Sequence, residues 1–214
     1  MIDMILSKYF VFIHFPKTGG EFIRKILFDT APREWDLRDV GHHASITRIP
    51  DQYRKMPVFG FVRNPFDWYV SWYAYLRATA LENGFSNEFF NRVSDRGRRS
   101  FKQTIKAIFE NDIAGSKQLD CSFPGSVFGC HVNAHFGSDL SKIRIGKFES
   151  LRDDLLVILK VISDPPNTMV NTVRSHKRVN ASLRDDYRRY YDNELREMVS
   201  GRDRLVLQYF DYRY

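Results

Sequence analysis

The stretch YFVFIHFPKTGGEFIRKIL, residues 9–27, decides the fold class. Tyr9 to Phe15 is apolar, aromatic and β-branched, and short enough for a buried strand. From Gly20, the apolar residues Phe22, Ile23, Ile26 and Leu27 recur at helical spacing. Between the two lies Pro16-Lys17-Thr18-Gly19-Gly20. A glycine-rich turn feeding a helix start presents bare backbone N–H groups and the positive end of the helix dipole, which together suit an anion. Gly19 and Gly20 let the backbone curl and approach closely. Lys17 adds a point charge and Thr18 a hydroxyl donor, so the seam suits a phosphate-like group. The pattern is not Walker A, Gly-x-x-x-x-Gly-Lys-[Ser/Thr], because Pro16 precedes the lysine and the glycines follow the threonine. A plain strand–helix turn with an exposed lysine is the competing reading.

The 214 residues suit one α/β domain over 1–214 with a sizeable core. Hydrophobic content of 43% and aromatic content of 15% mark a globular chain. The net charge of +7 favours an anionic partner. No apolar run approaches the ~18 residues of a membrane span. The start MIDMILSKYF carries Asp3 and lacks a small-residue cleavage site, unlike a signal peptide. Cys121 and Cys130 are too few for a disulfide framework or a four-ligand zinc site. They could pair across a short loop; reduced thiols in a cytoplasmic protein are the expectation.

No repeat, low-complexity tract or linker divides the chain. Residues 30–42 read as loop, and PVFGFVR (57–63) as a second short strand. NPFDWYVSWYAYLRATALEN then opens a helix with Pro65 near its start, where the missing N–H costs nothing. Ser100 with Gln103 forms a capping-box signature for SFKQTIKAIFEND. Residues 115–140, rich in Gly, Ser, His and Asn, read as irregular, and KIRIGKF (142–148) as a third strand. Ser150 with Asp153 is expected to cap LRDDLLVILKVI, which Pro165-Pro166 ends. Leu183 to Phe210 reads as helical and strongly charged. The alternation predicts an α/β, P-loop-type fold: a mainly parallel sheet with helices on both faces.

FGFVRNPFDWYVSWY repeats the design of the first stretch. A buried strand delivers Arg63 at its C-terminal end, and a helix starts after Asn64-Pro65 with Ser71 about two turns in. A planar guanidinium there binds an oxyanion through two parallel hydrogen bonds. In open α/β sheets, ligands bind outside the carboxyl ends of the strands, so both anion sites are expected on one edge. The bland alternative makes Arg63 a salt-bridge partner and Ser71 a surface residue.

FIHFPKTGG and FVRNPFDWYVSWY, in that order and spacing, resemble the two nucleotide-binding motifs of the sulfotransferases that use 3′-phosphoadenosine 5′-phosphosulfate (PAPS). The likeness is closest to the carbohydrate sulfotransferases, the group containing heparan sulfate 2-O-sulfotransferase. It continues in KIRIGKFESLRDDL and in the C-terminal stretch KRVNASLRDDYRRYYDNELREMV, so it spans most of the chain. The resemblance implies that Pro16, Lys17, Thr18, Gly19, Gly20 and Glu21 form the 5′-phosphosulfate loop. It implies that Arg63 and Ser71 hold the 3′-phosphate, and that Lys177, Arg178, Asn180 and Ser182 belong to a loop closing over the nucleotide. PAPS is then the donor and the desulfated nucleotide (PAP, 3′,5′-ADP) the product, with no metal required and a small-molecule or glycan acceptor. Two residues depart from the pattern. Glu21 stands where many members carry Thr or Ser, which shifts a hydroxyl contact onto Thr18. Trp68 stands where relatives often have arginine, and packing is the expected use of a helical tryptophan.

Transfer to an alcohol needs a base for the hydroxyl proton, and histidine is the usual one near neutral pH. GHHASITRIP supplies His42 and His43 in the loop before the second strand. In the resembling family a histidine of this region is followed by a small or apolar residue and then Ser or Thr. His43-Ala44-Ser45 matches directly, and His42 matches if the register slips by one, so His43 is favoured. His131 and His135 sit at i, i+4 spacing beside Cys130, but the acidic partners a metal site would recruit are missing. The basic run DRGRRSFK (95–102) reads as a solvated helix approach or a contact to an acidic glycan.

Two other classes compete. A P-loop kinase of small molecules would need Mg²⁺ and an acidic strand end, for which Glu149 is the one candidate. A non-enzymatic basic nucleic-acid-binding domain fits the charge, but no helix-turn-helix, zinc or RNA-binding signature accompanies it. The acceptor is not legible, because residues 80–98 and 115–140 follow no pattern.

Overall fold

The computed structural model describes residues 4–41, 45–84, 86–110, 122–177 and 185–214. The chain opens with a tight hairpin. β1 (Met4–Leu6) and β2 (Val11–Ile13) pair antiparallel, with Leu6 opposite Val11. Ser7 shapes the turn: its N–H donates to Phe10 O at 2.9 Å, and its buried hydroxyl donates to Trp35 O at 2.9 Å. β3 (Arg38–Asp39) pairs antiparallel with β1 on the other side. β4 (Val58–Val62) lies parallel to β2, and β5 (Ile143–Lys147) parallel to β4. The sheet order is β3-β1-β2-β4-β5.

The architecture is therefore α/β, but the sheet is mixed rather than mainly parallel. Two segments account for the correction: MIL at 4–6 was not expected to be a strand, and residues 38–39 fall inside the expected loop 30–42. What remains parallel is β2-β4-β5, the part that carries the motif-bearing loops.

Two compact units divide the chain, Met1–Arg63 with Ala134–Ala181, and Asn64–Asn133 with Ser182–Tyr214. In the first, one sheet face contributes Ile5, Phe10, Phe12, Phe59 and Phe61 to a core. Three helices pack on it: α1 (Gly20–Thr30), α6 (Leu151–Ile162) and α7 (Asn167–Ser175). α1 supplies Phe22, Ile23, Ile26 and Leu27, all buried, as the helical spacing requires. α6 ends before Pro165, and α7 starts directly after Pro166. Ser150 precedes α6 without a side-chain cap; instead Asp154 Oδ2 accepts from Lys147 N–H at 2.6 Å, tying the helix to the strand end.

The second unit is helical in its described residues. It contains α2 (Pro65–Asn83), α3 (Glu88–Ser94), α4 (Phe101–Glu110), α8 (Asn193–Arg202), α9 (Arg204–Tyr209) and most of α5 (Val127–Phe136). Pro65 occupies the first turn of α2, and Asn64 Oδ1 caps it by accepting from Phe66 N–H at 3.1 Å. The capping box at α4 is reciprocal. Ser100 N–H donates to Gln103 Oε1 at 2.9 Å, and Gln103 N–H to Ser100 Oγ at 3.3 Å. α5 corrects the expectation of an irregular 115–140, and the described part of the charged tail is a 3₁₀ turn at Tyr187–Tyr190 followed by two helices that meet at Asp203.

Candidate functional site

β2, β4 and β5 run parallel in register, Ile13 beside Gly60 and Val62 beside Lys147, so their C-terminal ends open onto one edge of the sheet. Three connections leave that edge within the first unit: residues 14–19, Arg63, and 148–150. The first is the Lys17–Gly20 loop. Lys17 has φ 66 and Gly19 φ 82, both in the left-handed region. For a lysine this conformation costs about 1–2 kcal/mol, and such residues gather where a ligand needs a particular backbone. Left-handed residues in a turn also curl the chain into the concave nests that bind anions. Gly19 is the N-cap of α1 and no side chain caps the helix, so the first-turn N–H groups are left for another acceptor.

Both glycines are required by contact, and Gly19 by its φ of 82 as well. A β-carbon on Gly19 would lie 2.7 Å from Leu151 Cδ2 and 3.4 Å from the Phe148 ring. One on Gly20 would lie 2.0 Å from His14 Cδ2. The imidazole of His14 thus occupies the space of a side chain at position 20. It is stacked near Phe12 at 6.3 Å between ring centroids and is only 9% exposed. His14 was not singled out from sequence; a histidine ending an otherwise apolar strand was the available sign. Thr18 is turned inward, 1% exposed, and its hydroxyl donates to Phe15 O at 2.6 Å. It closes the loop from behind instead of facing outward as a donor. Pro16 and Lys17 are half-buried, and Glu21 lies in the first turn of α1, where the dipole favours a carboxylate.

Arg63 ends β4 at 7% exposure. Its Nη1 donates to Lys17 O at 3.1 Å, and its Cζ lies 4.1 Å from the centroid of Phe148. The structure thus brings Arg63 and the Lys17 loop together, as the shared edge required. Arg152 is a second cation of this unit. Its guanidinium donates to Val173 O and His176 O at the end of α7 and sits 4.8 Å over Phe22. This pins the helix end that leads to Lys177, which is exposed.

Ser71 belongs to the second unit, in α2. It is 5% exposed, and its hydroxyl has no hydrogen-bond partner among the described residues. Trp68 packs: it is 1% exposed, stacked on Trp72 at 5.9 Å and edge-on to Phe128 at 5.2 Å. His42, His43, Arg178, Asn180, Ser182 and Cys121 lie outside the described residues. Among the described residues no three His, Cys, Asp or Glu side chains group closely enough to hold a metal ion, and no helix is long and apolar enough to cross a membrane. An open cleft of about 480 Å³ lies at the opposite sheet edge, near Val58 and Lys142. Its two cations are already paired, Arg54 with Asp51 at 3.0 Å and Lys142 with Asp139 at 2.8 Å, so it does not compete as an anion site.

Comparison with protein-family models, with curated proteins and with solved structures finds no match in any of the three.

Proposed function

We propose that the chain is a PAPS-dependent sulfotransferase of P-loop type that moves a sulfuryl group to a hydroxyl of an acceptor, with a carbohydrate as the favoured class. One observation carries the reading. A strained, glycine-dependent loop feeds the uncapped start of α1, and a buried arginine from the adjacent parallel strand is bonded to that loop. Two oxyanion-seeking elements on one sheet edge suit a ligand with two phosphate-like ends. The resemblance of both motifs to the sulfotransferases supplies the identity of that ligand, including a role for Ser71 at the 3′-phosphate.

In this reading the N–H groups of the loop and α1, with Lys17, bind the 5′-phosphosulfate, and Arg63 faces the 3′-phosphate. Thr18 holds the loop closed. The acceptor oxygen attacks sulfur as the bond from sulfur to the bridging phosphate oxygen breaks. The acceptor proton passes to His43, and 3′,5′-ADP departs with its new charge on the phosphate beside Lys17. Fixed positive groups at that oxygen contribute more to the rate than covalent chemistry would. The reading includes a cytoplasmic location.

The test is transfer of labelled sulfate from PAPS to a panel of desulfated glycans and small alcohols in EDTA. Label on an acceptor, lost by about 10²–10⁴-fold in His43→Ala, is the expected result. Phosphoryl transfer from ATP with Mg²⁺ in its place would make the chain a kinase. Tight oligonucleotide binding without either transfer would make it a nucleic-acid-binding domain.

A further inference from the structure

We infer that Phe148 is a positioning residue that couples the two phosphate subsites, holding Arg63 and the Gly19 backbone with one ring. The inference rests on the PAPS reading and goes beyond it, since Phe148 belongs to neither nucleotide motif. The ring sits 4.1 Å from Arg63 Cζ on one side. Its Cδ2 and Cε2 lie 3.4 Å from where a β-carbon on Gly19 would stand. Arg63 Nη1 in turn donates to Lys17 O at 3.1 Å, two residues before Gly19. Phe148 thus packs on Arg63 and borders the space beside Gly19, while Arg63 is bonded to Lys17 O; the three groups come from the connections after β5, β4 and β2.

The physical consequence concerns order rather than charge. A guanidinium on a long stem samples many rotamers, and ordering it on binding weakens the contact it makes. A flat ring against its face removes most of that freedom beforehand, because a planar cation stacks on an aromatic surface. The same ring, together with Leu151, bounds the space beside Gly19. A nucleotide that engages Arg63 then meets a loop already set for its other end. Phe148 is half-buried, so it is reachable by substitution without opening the sheet core.

The test measures dissociation constants for 3′,5′-ADP and 5′-AMP, and their ratio as the preference for the 3′-phosphate. The proteins are wild type, Phe148→Leu, Phe148→Tyr, Arg63→Lys and the Arg63→Lys/Phe148→Leu double variant. F148L should lower the preference by about 3- to 30-fold, the range of a partly desolvated cation–π contact. F148Y keeps the ring and should stay within about twofold of wild type; in the R63K background, F148L should add less than about twofold, because the braced partner is gone. If F148L does not fold, Phe148→Met, apolar and ringless, carries the same expectation. An unchanged preference in F148L, equal weakening of both nucleotides, or full additivity with R63K overturns the inference alone. A wild type that shows no preference for 3′,5′-ADP overturns the PAPS reading, and this inference with it.

Discussion

Asp203 sets a pH dependence in the second unit that substitution can isolate. Its side chain is 0% exposed at the junction of α8 and α9. Oδ1 accepts from Ser126 Oγ at 2.5 Å and from Tyr69 Oη at 3.3 Å, while Oδ2 has no partner among the described residues. Burial pushes the carboxyl up from 3.8 to about 7, and the two hydroxyl donors only partly oppose it. A raised folded value means the folded state holds this proton more tightly than the unfolded chain does. The associated stability is complete below about pH 4 and is lost as pH rises through about 7. At about 1.4 kcal/mol per pH unit, the loss between pH 5 and pH 8 is about 2–3 kcal/mol. Asp203→Asn keeps an acceptor for Ser126 and Tyr69 but cannot ionise. Urea unfolding can be followed by tryptophan fluorescence in a Trp35→Phe background, which leaves Trp68 and Trp72 as reporters in the second unit. The wild-type midpoint should fall across this range, and D203N should stay nearly flat and be the more stable at pH 8. Parallel pH profiles for the two proteins would refute the assignment of a buried, half-satisfied carboxyl. Tyr69 and Tyr191 are also raised well above their usual value by burial and by Asp203, so neither titrates within the window.

Other outcomes concern the first unit and the chemistry. Gly20→Ala should cost about 1–3 kcal/mol by forcing the His14 ring aside, and adding His14→Ala should recover part of it, read by urea unfolding. Thr18→Val removes the donor to Phe15 O and should lower stability by about 1–3 kcal/mol, while the lysine and helix start still bind nucleotide. Lys17→Ala should reduce kcat more than it weakens 3′,5′-ADP binding, measured by steady-state kinetics beside calorimetry; equal losses would make Lys17 a binding residue only. His43→Ala should abolish the acidic limb of the pH–rate profile, and His42→Ala should leave it in place.

What could be read from the sequence is what local chemistry decides. The strand–turn–helix seam at 9–27, Pro65 at the start of α2 and the Ser100–Gln103 box each need only neighbouring residues, and each is found where expected. β1 and β3 escaped because they are three and two residues long and owe their existence to pairing, Ile5 lying between Phe12 and Asp39. α5 escaped because its Gly, His and Asn content argues against a helix, while Ser126 caps it by accepting from Gly129 N–H at 2.7 Å. At the site, the loop and Arg63 were legible as separate motifs. Their hydrogen bond joins residues 46 apart, and Phe148 packs on Arg63 and borders Gly19 from a third strand end. No spacing rule contains such a contact. The inward turn of Thr18 was equally hidden, since a threonine hydroxyl can bond a carbonyl three residues back as readily as a ligand.

The most direct measurement is calorimetric titration of the wild-type protein with 3′,5′-ADP, 5′-ADP and 5′-AMP in EDTA, repeated for Arg63→Ala. The account predicts that 3′,5′-ADP binds more tightly than either other nucleotide without any divalent ion. It predicts that Arg63→Ala erases that advantage at a loss of about 1.5–3 kcal/mol, the range for a hydrogen bond to a charged group. Equal affinity for 3′,5′-ADP and 5′-ADP, or binding that appears only when Mg²⁺ is added, would contradict it.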